Sequence, residues 1–104
     1  MYDSDIDLPS PLEKTYKMIV DAFPNGIEDS EYFPLLGCLY DFMCDENLAI
    51  VIAKFTKKDY SIVLNDVFRS SSTDKPSRDE IDGIKVKLSL FGFDDWAKNI
   101  DIPN

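Results

Sequence analysis

The sequence predicts an all-α protein, a compact bundle of about five short helices. Two Ser-x-x-Glu capping boxes, one near the beginning and one near the end of the 104 residues, are typical of helix N-termini. After each box, apolar residues recur at spacings of three and four, as they do on the buried face of a helix. Because 44% of the residues are hydrophobic, the chain has enough apolar surface for a single core.

The first helix is predicted to follow an acidic leader. Residues 1–9 contain three Asp, a proline and no cation, so we expect a flexible leader there and a single helical domain over residues 10–104. Ser10 and Glu13 form the first capping box, with Pro11 at the first helical position. The apolar stripe that follows consists of Leu12, Tyr16, Ile19, Val20 and Phe23.

A second helix is predicted to begin near Asp29 or Ser30 and to be apolar on nearly every side. Pro34 is expected in its first turn, because a proline deeper in a helix lacks an N–H for the hydrogen-bond ladder. The body of the helix, residues 32–43, contains few polar side chains. A helix of this kind needs neighbours on several sides, so we expect it at the centre of the bundle.

Residues 47–68 admit two interpretations. Two runs, 48–53 and 61–64, are rich in β-branched residues and could pair as a β-hairpin, which would make the protein α+β. In the helical interpretation, Asp45 caps a helix with an apolar face at spacings of three and four. That face consists of Leu48, Val51, Ile52 and Phe55. Helices are preferred because a two-stranded sheet needs a third strand, and no third candidate stands out.

The last helix is predicted from the second capping box, Ser77 to Glu80. Its apolar stripe consists of Ile81, Ile84, Leu88 and Phe91. Gly92 is expected to end the helix at the C′ position, where a left-handed backbone is favoured. The aromatic residues beyond it, Phe93 and Trp96, are expected to fold back onto the bundle.

The two cysteines, Cys38 and Cys44, are six positions apart in what we interpret as one helix. Six helical residues rotate by about 240° and rise by about 9 Å, so the two sulfur atoms cannot meet. We therefore expect reduced cysteines in a reducing compartment.

The charge of the chain excludes several classes of partner. It carries 20 Asp or Glu, 11 Lys or Arg and no His, for a formal net charge of -9. Such a surface repels phosphate groups, so we expect no nucleic-acid binding and no binding to anionic membranes. The first residues lack the cations and the apolar run of a secretory signal, so the cytoplasm is the expected location.

No catalytic residue, metal site or cofactor is predicted, and we do not expect an enzyme. Without histidine, a Ser-His-Asp triad cannot form. Asp3, Asp5 and Asp7 have the spacing of the first ligands in a calcium loop. However, Leu8 occupies the position of the turn glycine, and Lys14 occupies the twelfth position. The four glycines lie too far apart for a phosphate-binding loop.

Several short motifs resemble, in their order and spacing, the small bacterial helical family catalogued as domain of unknown function 3349. They are Ala-Phe-Pro-Asn-Gly-Ile at 22–27, Tyr-Phe-Pro-Leu-Leu at 32–36, Asp-Glu-Asn at 45–47, and Thr-Asp-Lys-Pro-Ser at 73–77 followed by Gly92. The resemblance covers about residues 12–93. It implies an all-helical bundle of about five helices and brings no assigned activity.

Two segments depart from the pattern of that family. After the glycine the family has Trp-Pro, whereas this chain has Phe93 and Asp94. After the Pro-Leu-Leu motif the family is rich in arginine, whereas this chain has Leu39, Tyr40 and Asp41. A surface role of the second helix is therefore not transferred from the family.

The acidic residues are concentrated between residues 24 and 47, which hold six acids and no cation. Helix dipoles favour acids at helix N-termini and so explain most of these positions, but not that of Asp41 near a helix C-terminus. Aromatic residues beside acids are typical anchors of protein interfaces. The predicted partner-binding residues are Glu28, Asp29, Glu31, Tyr32, Asp41 and Trp96, with the main site at the acids beside Tyr32.

Two functions follow from this pattern. The first is a non-enzymatic acidic protein-binding domain that masks a basic partner protein, as an immunity or antitoxin protein does. The second is a small cytoplasmic regulatory or structural helical domain with no neutralising role. In both cases we expect a monomer or a weak homo-oligomer.

Overall fold

Six α-helices surround a shared core in the computed structural model, which describes residues 8–98. The helices are α1 (Glu13–Ala22), α2 (Asp29–Tyr40), α3 (Asp45–Thr56), α4 (Tyr60–Ser70), α5 (Arg78–Ser89) and α6 (Phe93–Lys98). The all-α prediction is confirmed. The helix beyond the predicted five is the short α6, which follows Gly92. Of the predicted acidic leader, only Leu8 and Pro9 are among the described residues.

The prediction of the first capping box, at Ser10 and Glu13, is wrong. A 3-10 turn over Ser10–Leu12 precedes α1, and the cap position of that turn is Pro9, whose backbone is already extended. Because Ser10 lies inside the turn, its side chain makes no capping hydrogen bond. The predicted stripe does face the core, since Leu12 and Ile19 are buried.

Helix α2 begins at Asp29, as predicted, and is held by a capping box between Glu28 and Glu31. Pro34 is the sixth residue of the helix and not part of the first turn, so that prediction is wrong. The missing N–H leaves only the carbonyl of Ser30 without its usual partner, and Ser30 is exposed to solvent. The loss of a single hydrogen bond at an exposed carbonyl makes the deeper proline tolerable.

The ambiguous segment forms α3 and α4, so the hairpin alternative near residues 47–68 is wrong. Several of its β-branched side chains are buried, with Val51, Ile52 and Val63 fully inaccessible, which shows that packing outweighs β-propensity here. Asp45 is the first residue of α3, while Cys44 occupies the cap position. Cys44 and Cys38 therefore lie in different elements. Both are free, and burial raises the pKa of the Cys38 thiol to about 11.

The second capping box is confirmed by both of its hydrogen bonds. The N–H of Glu80 donates to Ser77 Oγ at 3.1 Å, and the N–H of Ser77 donates to Glu80 Oε1 at 2.9 Å. Phe91 is exposed, contrary to prediction, because α5 ends at Ser89 and the helical spacing no longer applies. Gly92 has the expected positive φ of 93°, but it lies two residues beyond the C-cap and not at C′.

Helix α6 folds back onto the bundle. The rings of Phe93 and Trp96 lie 5.6 and 5.7 Å from the ring of Phe42, measured between centroids. Trp96 Nε1 also donates a hydrogen bond to Thr15 Oγ1 at 2.8 Å. These contacts join the end of α2 to α1 and α6.

Gly37 marks the closest approach between α2 and the start of α5. A Cβ atom at this position would lie 2.7 Å from a ring carbon of Pro76 and 3.3 Å from Ile81 Cδ1. Pro76 is buried, and its ring cannot rotate away. The contact therefore requires glycine, although glycine weakens a helix.

We predict that Gly37→Ala lowers the free energy of unfolding by about 1–3 kcal/mol, because the clash exceeds the gain in helix propensity. Gly83→Ala is the matched control, since Gly83 lies inside α5 with nothing within 4 Å of its Cβ position. The control should stabilise the protein by about 0.5–1 kcal/mol. Urea unfolding at micromolar protein concentration measures both effects. Equal effects of the two substitutions would contradict the close packing at Gly37.

Candidate functional site

A cleft of about 490 Å³ opens between the start of α2, the end of α3 and the middle of α4. Its apolar lining consists of Ile27, Phe33 and Phe55, all half-buried. Two exposed carboxylates form the acidic rim of the cleft, Glu28 at the cap position of α2 and Asp29 at its first residue.

A hydrogen-bonded network, buried at Tyr32 and Asp66 and exposed at Arg69, forms the inner wall of the cleft. Tyr32 Oη donates to Asp66 Oδ2 at 2.7 Å, and Arg69 Nη1 donates to Asp66 Oδ1 at 3.2 Å. Arg69 Nε also donates to Asp74 Oδ2 at 2.7 Å. Only 5% of Asp66 is exposed, so its charge depends on the hydrogen bonds from Tyr32 and Arg69 for compensation.

The network joins residues that are distant in sequence. Tyr32 lies on α2, while Asp66 and Arg69 are one turn apart on the same side of α4 and so reach the same place. Burial, and after it the hydrogen bond to Asp66, raise the pKa of the Tyr32 phenol above its ordinary value. The hydrogen bond to Asp74 raises the pKa of Arg69.

Two cations lie against aromatic rings in this wall. Lys58 Nζ is 3.8 Å from the centroid of the Tyr32 ring, and Arg69 Cζ is 5.2 Å from the centroid of Phe33. Both distances fall within the range of cation–π attraction. Arg69 is in addition paired with two carboxylates, so the wall already compensates much of its own positive charge.

Three of the predicted partner-binding residues lie at or beside the cleft. Glu28 and Asp29 are exposed on its rim, as expected, but only 6% of Tyr32 is exposed. Its ring lies under Lys58 and its hydroxyl is bonded to Asp66, so Tyr32 is part of the wall and not a free anchor. Phe33 and Phe55 present the accessible aromatic surface in its place.

Glu31 points away from the cleft, toward α5. Its carboxylate pairs with the ammonium of Lys87 and accepts a hydrogen bond from the N–H of Glu28 at 3.2 Å. The hydrogen bond from Lys87 lowers the pKa of Glu31, although burial acts in the opposite direction. Glu31 therefore supports the start of α2 and is not available on the rim.

Asp41 and Trp96 lie at the opposite end of α2 from the cleft. The 12 residues of this helix span about 18 Å, so one small ligand cannot touch both ends. Asp41 is exposed, whereas Trp96 is half-buried and hydrogen-bonded to Thr15. Trp96 also borders a second hollow of about 320 Å³ beside Lys14 and Phe91.

The sequence reasoning missed the part of the site that α4 contributes. Asp66 lies on the buried side of α4, together with Val63, Val67 and Ser70. An acid on the apolar side of a helix was the available signal, because a buried carboxylate needs partners. Within residues 8–98, no three His, Cys, Asp or Glu side chains are grouped so as to hold a metal ion. None of the helices in this range has the length and apolar content needed to cross a bilayer.

We predict that Asp66→Asn lowers the free energy of unfolding by about 1–3 kcal/mol. The amide replaces one acceptor oxygen by a donor, so either Tyr32 or Arg69 loses its buried bond. Asp74→Asn is the control, because it removes the other, more exposed carboxylate of Arg69 and should cost much less. Chemical denaturation of both variants tests this, and similar losses would contradict a special role of Asp66.

The raised pKa of Tyr32 predicts a loss of stability at alkaline pH. The contribution of Tyr32 to the free energy of unfolding is complete below about pH 10, the pKa of an unfolded tyrosine. It declines as the pH rises above this value, because only the unfolded chain then releases the proton. Tyr32→Phe should show a shallower decline between pH 9 and pH 11 on urea unfolding. Cys38 and Tyr60, whose pKa values are also raised, are present in both proteins, so parallel curves would contradict the assignment.

No protein-family model, curated protein or solved structure matches this chain. The resemblance to domain of unknown function 3349 therefore stays a prediction. The candidate site rests on the geometry of the cleft alone.

Proposed function

We propose that this protein is a non-enzymatic protein-binding domain and that its cleft takes a basic segment of a partner protein. The observation that supports it most is the combination of an open apolar floor with an acidic rim that, among the described residues, pairs with no Lys or Arg. Neither Glu28 nor Asp29 has a Lys or Arg nitrogen within 4 Å among the described residues. Their charges therefore face solvent beside Phe33 and Phe55.

The floor of the cleft suits a large apolar side chain. Phe33, Phe55 and Ile27 are half-buried, so part of each remains accessible within the hollow. A hollow of this kind, with polar groups around it, is typical of the pockets that receive anchor residues of a binding partner. An aromatic or long aliphatic side chain fits this lining best.

The charge around the floor favours cations next to that anchor. Arg69 is engaged by Asp66, Asp74 and the ring of Phe33, and Lys58 lies on the ring of Tyr32. Glu28 accepts the backbone N–H of Glu31 in the capping box, but neither rim carboxylate is paired with a cation among the described residues. The net charge of -9 adds a long-range attraction for a basic protein.

Masking of a basic partner, in the manner of an immunity or antitoxin protein, is the specific form of this function that we propose. A cytoplasmic location and membership of domain of unknown function 3349 belong to the same proposal. The alternative is a regulatory or structural helical domain without a neutralising role. The two differ in whether the partner loses its activity when it is bound.

We predict that the capped tripeptide Lys-Phe-Lys binds the cleft at least about threefold more tightly than Glu-Phe-Glu. Titrations followed by NMR should shift the backbone amides around Ile27, Phe33 and Phe55. Asp29→Lys should abolish the preference for the basic peptide, because it reverses one charge of the rim.

Asp79→Lys is the matched control. Asp79, like Asp29, is an exposed acid in the first turn of a helix, so both reversals lose a similar dipole interaction. Asp79 does not line the cleft, and its reversal should leave the preference for the basic peptide unchanged. Equal binding of the two peptides, or shifts confined to the hollow at Trp96, would refute the proposed site.

A further inference from the structure

The outer face of α5 carries the two most exposed large apolar side chains among the described residues. Val86 is 65% exposed and Leu90 is 77% exposed, and they lie one turn apart. Gly83 precedes them on the same face, with nothing within 4 Å of its Cβ position. The core side of this helix is formed by Ile84 and Leu88, so α5 is apolar on two opposite sides.

A shallow groove of about 210 Å³ runs beside this face, between α5 and the start of α2. Its lining includes Ser30, Pro34, Asp79, Gly83 and Ile84. The absence of a side chain at Gly83 leaves room for a residue of the size of leucine. The groove and the exposed row of Val86 and Leu90 are therefore neighbouring parts of one surface.

The charges of α5 are arranged in halves. After Arg78 at the first position, the first half holds Asp79, Glu80 and Asp82, whereas Lys85 and Lys87 belong to the second half. Lys87 is already paired with Glu31, so Lys85 is the cation of this half that is left for a second copy. Two such helices in antiparallel orientation bring the acidic half of each beside the basic half of the other, and their dipoles also align favourably. A parallel pair would place like charges together.

We propose that this face of α5 binds a second copy of this chain as a two-fold symmetric, antiparallel pair. Gly83 of each copy receives Val86 of the other, and Leu90 enters the neighbouring groove. In this register Asp82 lies beside Lys85 of the second copy, on the same flank of the helix pair. Both residues are exposed and have no ion-pair partner within 4 Å among the described residues.

The size of the surface makes the pair a weak one. One helix of 12 residues with a shallow groove offers less than the roughly 1,200 Å² that a stable interface buries. The net charge of each copy also opposes association. The monomer and the pair therefore exchange, and the pair forms at high protein concentration. This surface lies on the other side of α2 from the cleft, so the inference does not depend on the proposed function.

The first test is the oligomeric state by analytical ultracentrifugation, from about 10 μM to about 1 mM protein. We expect a reversible monomer–dimer equilibrium that Leu90→Lys weakens at least about tenfold. Ile62→Lys is the control, because Ile62 is also 54% exposed but lies on α4 and does not line the groove. Val86→Lys serves as a second variant on the row. A monomer at every concentration, or equal weakening by the control, would overturn the proposal.

The second test uses charge reversal to establish the orientation. Asp82→Lys and Lys85→Glu should each weaken self-association, because each places like charges opposite one another twice. A mixture of the two variants should associate at least as well as the unaltered protein, since both pairs are then complementary. Circular dichroism of each variant verifies its helical content. Failure of the mixture to recover association would overturn the antiparallel register.

Discussion

The hydrogen bond between Tyr32 and Asp66 is the interaction on which the cleft depends. It joins the first turns of α2 to the middle of α4 in the interior of the bundle. The same carboxylate accepts from Arg69, which in turn reaches Asp74 in the loop before α5. One buried charge thus fixes the position of two helices and a loop. Because Tyr32 and Arg69 both donate to Asp66, the wall of the cleft is polar and hydrogen-bonded while its floor stays apolar.

The fold distributes the acidic residues of the central segment between two ends of α2. Glu28 and Asp29 remain exposed at the first end, whereas Glu31 is drawn toward α5 by Lys87. Asp41 lies at the second end, beside the aromatic cluster of α6. Acidity alone is therefore a poor guide to function here. What distinguishes the first end is that its acids border accessible aromatic surface.

The sequence was sufficient to predict the helical class, the start of α2 and the whole capping box of α5, because these depend on local chemistry at Glu28, Ser77 and Glu80. It was insufficient for the site, because Tyr32 and Asp66 meet only after α2 and α4 have packed. The wrong cap at Ser10 has a local cause, since the preceding proline already adopts the extended conformation that a cap needs. The position of Pro34, deeper than predicted, shows that a helix tolerates one missing hydrogen bond where the freed carbonyl belongs to an exposed residue.

The carboxylate of Glu31 contacts a residue of each of the two proposed surfaces. It accepts a hydrogen bond from the backbone of Glu28, on the rim of the cleft, and it pairs with Lys87, which borders the groove of α5. A partner that displaces Lys87 from Glu31 changes the contact between Glu31 and the backbone of Glu28 on the rim. A partner that moves the rim changes, through the same carboxylate, the position of Lys87. If both proposed surfaces are occupied through these contacts, each would alter the affinity of the other by the same factor, because thermodynamic linkage is reciprocal. On the two proposals made above, a single side chain in the first turn of α2 would couple self-association to the binding of a partner.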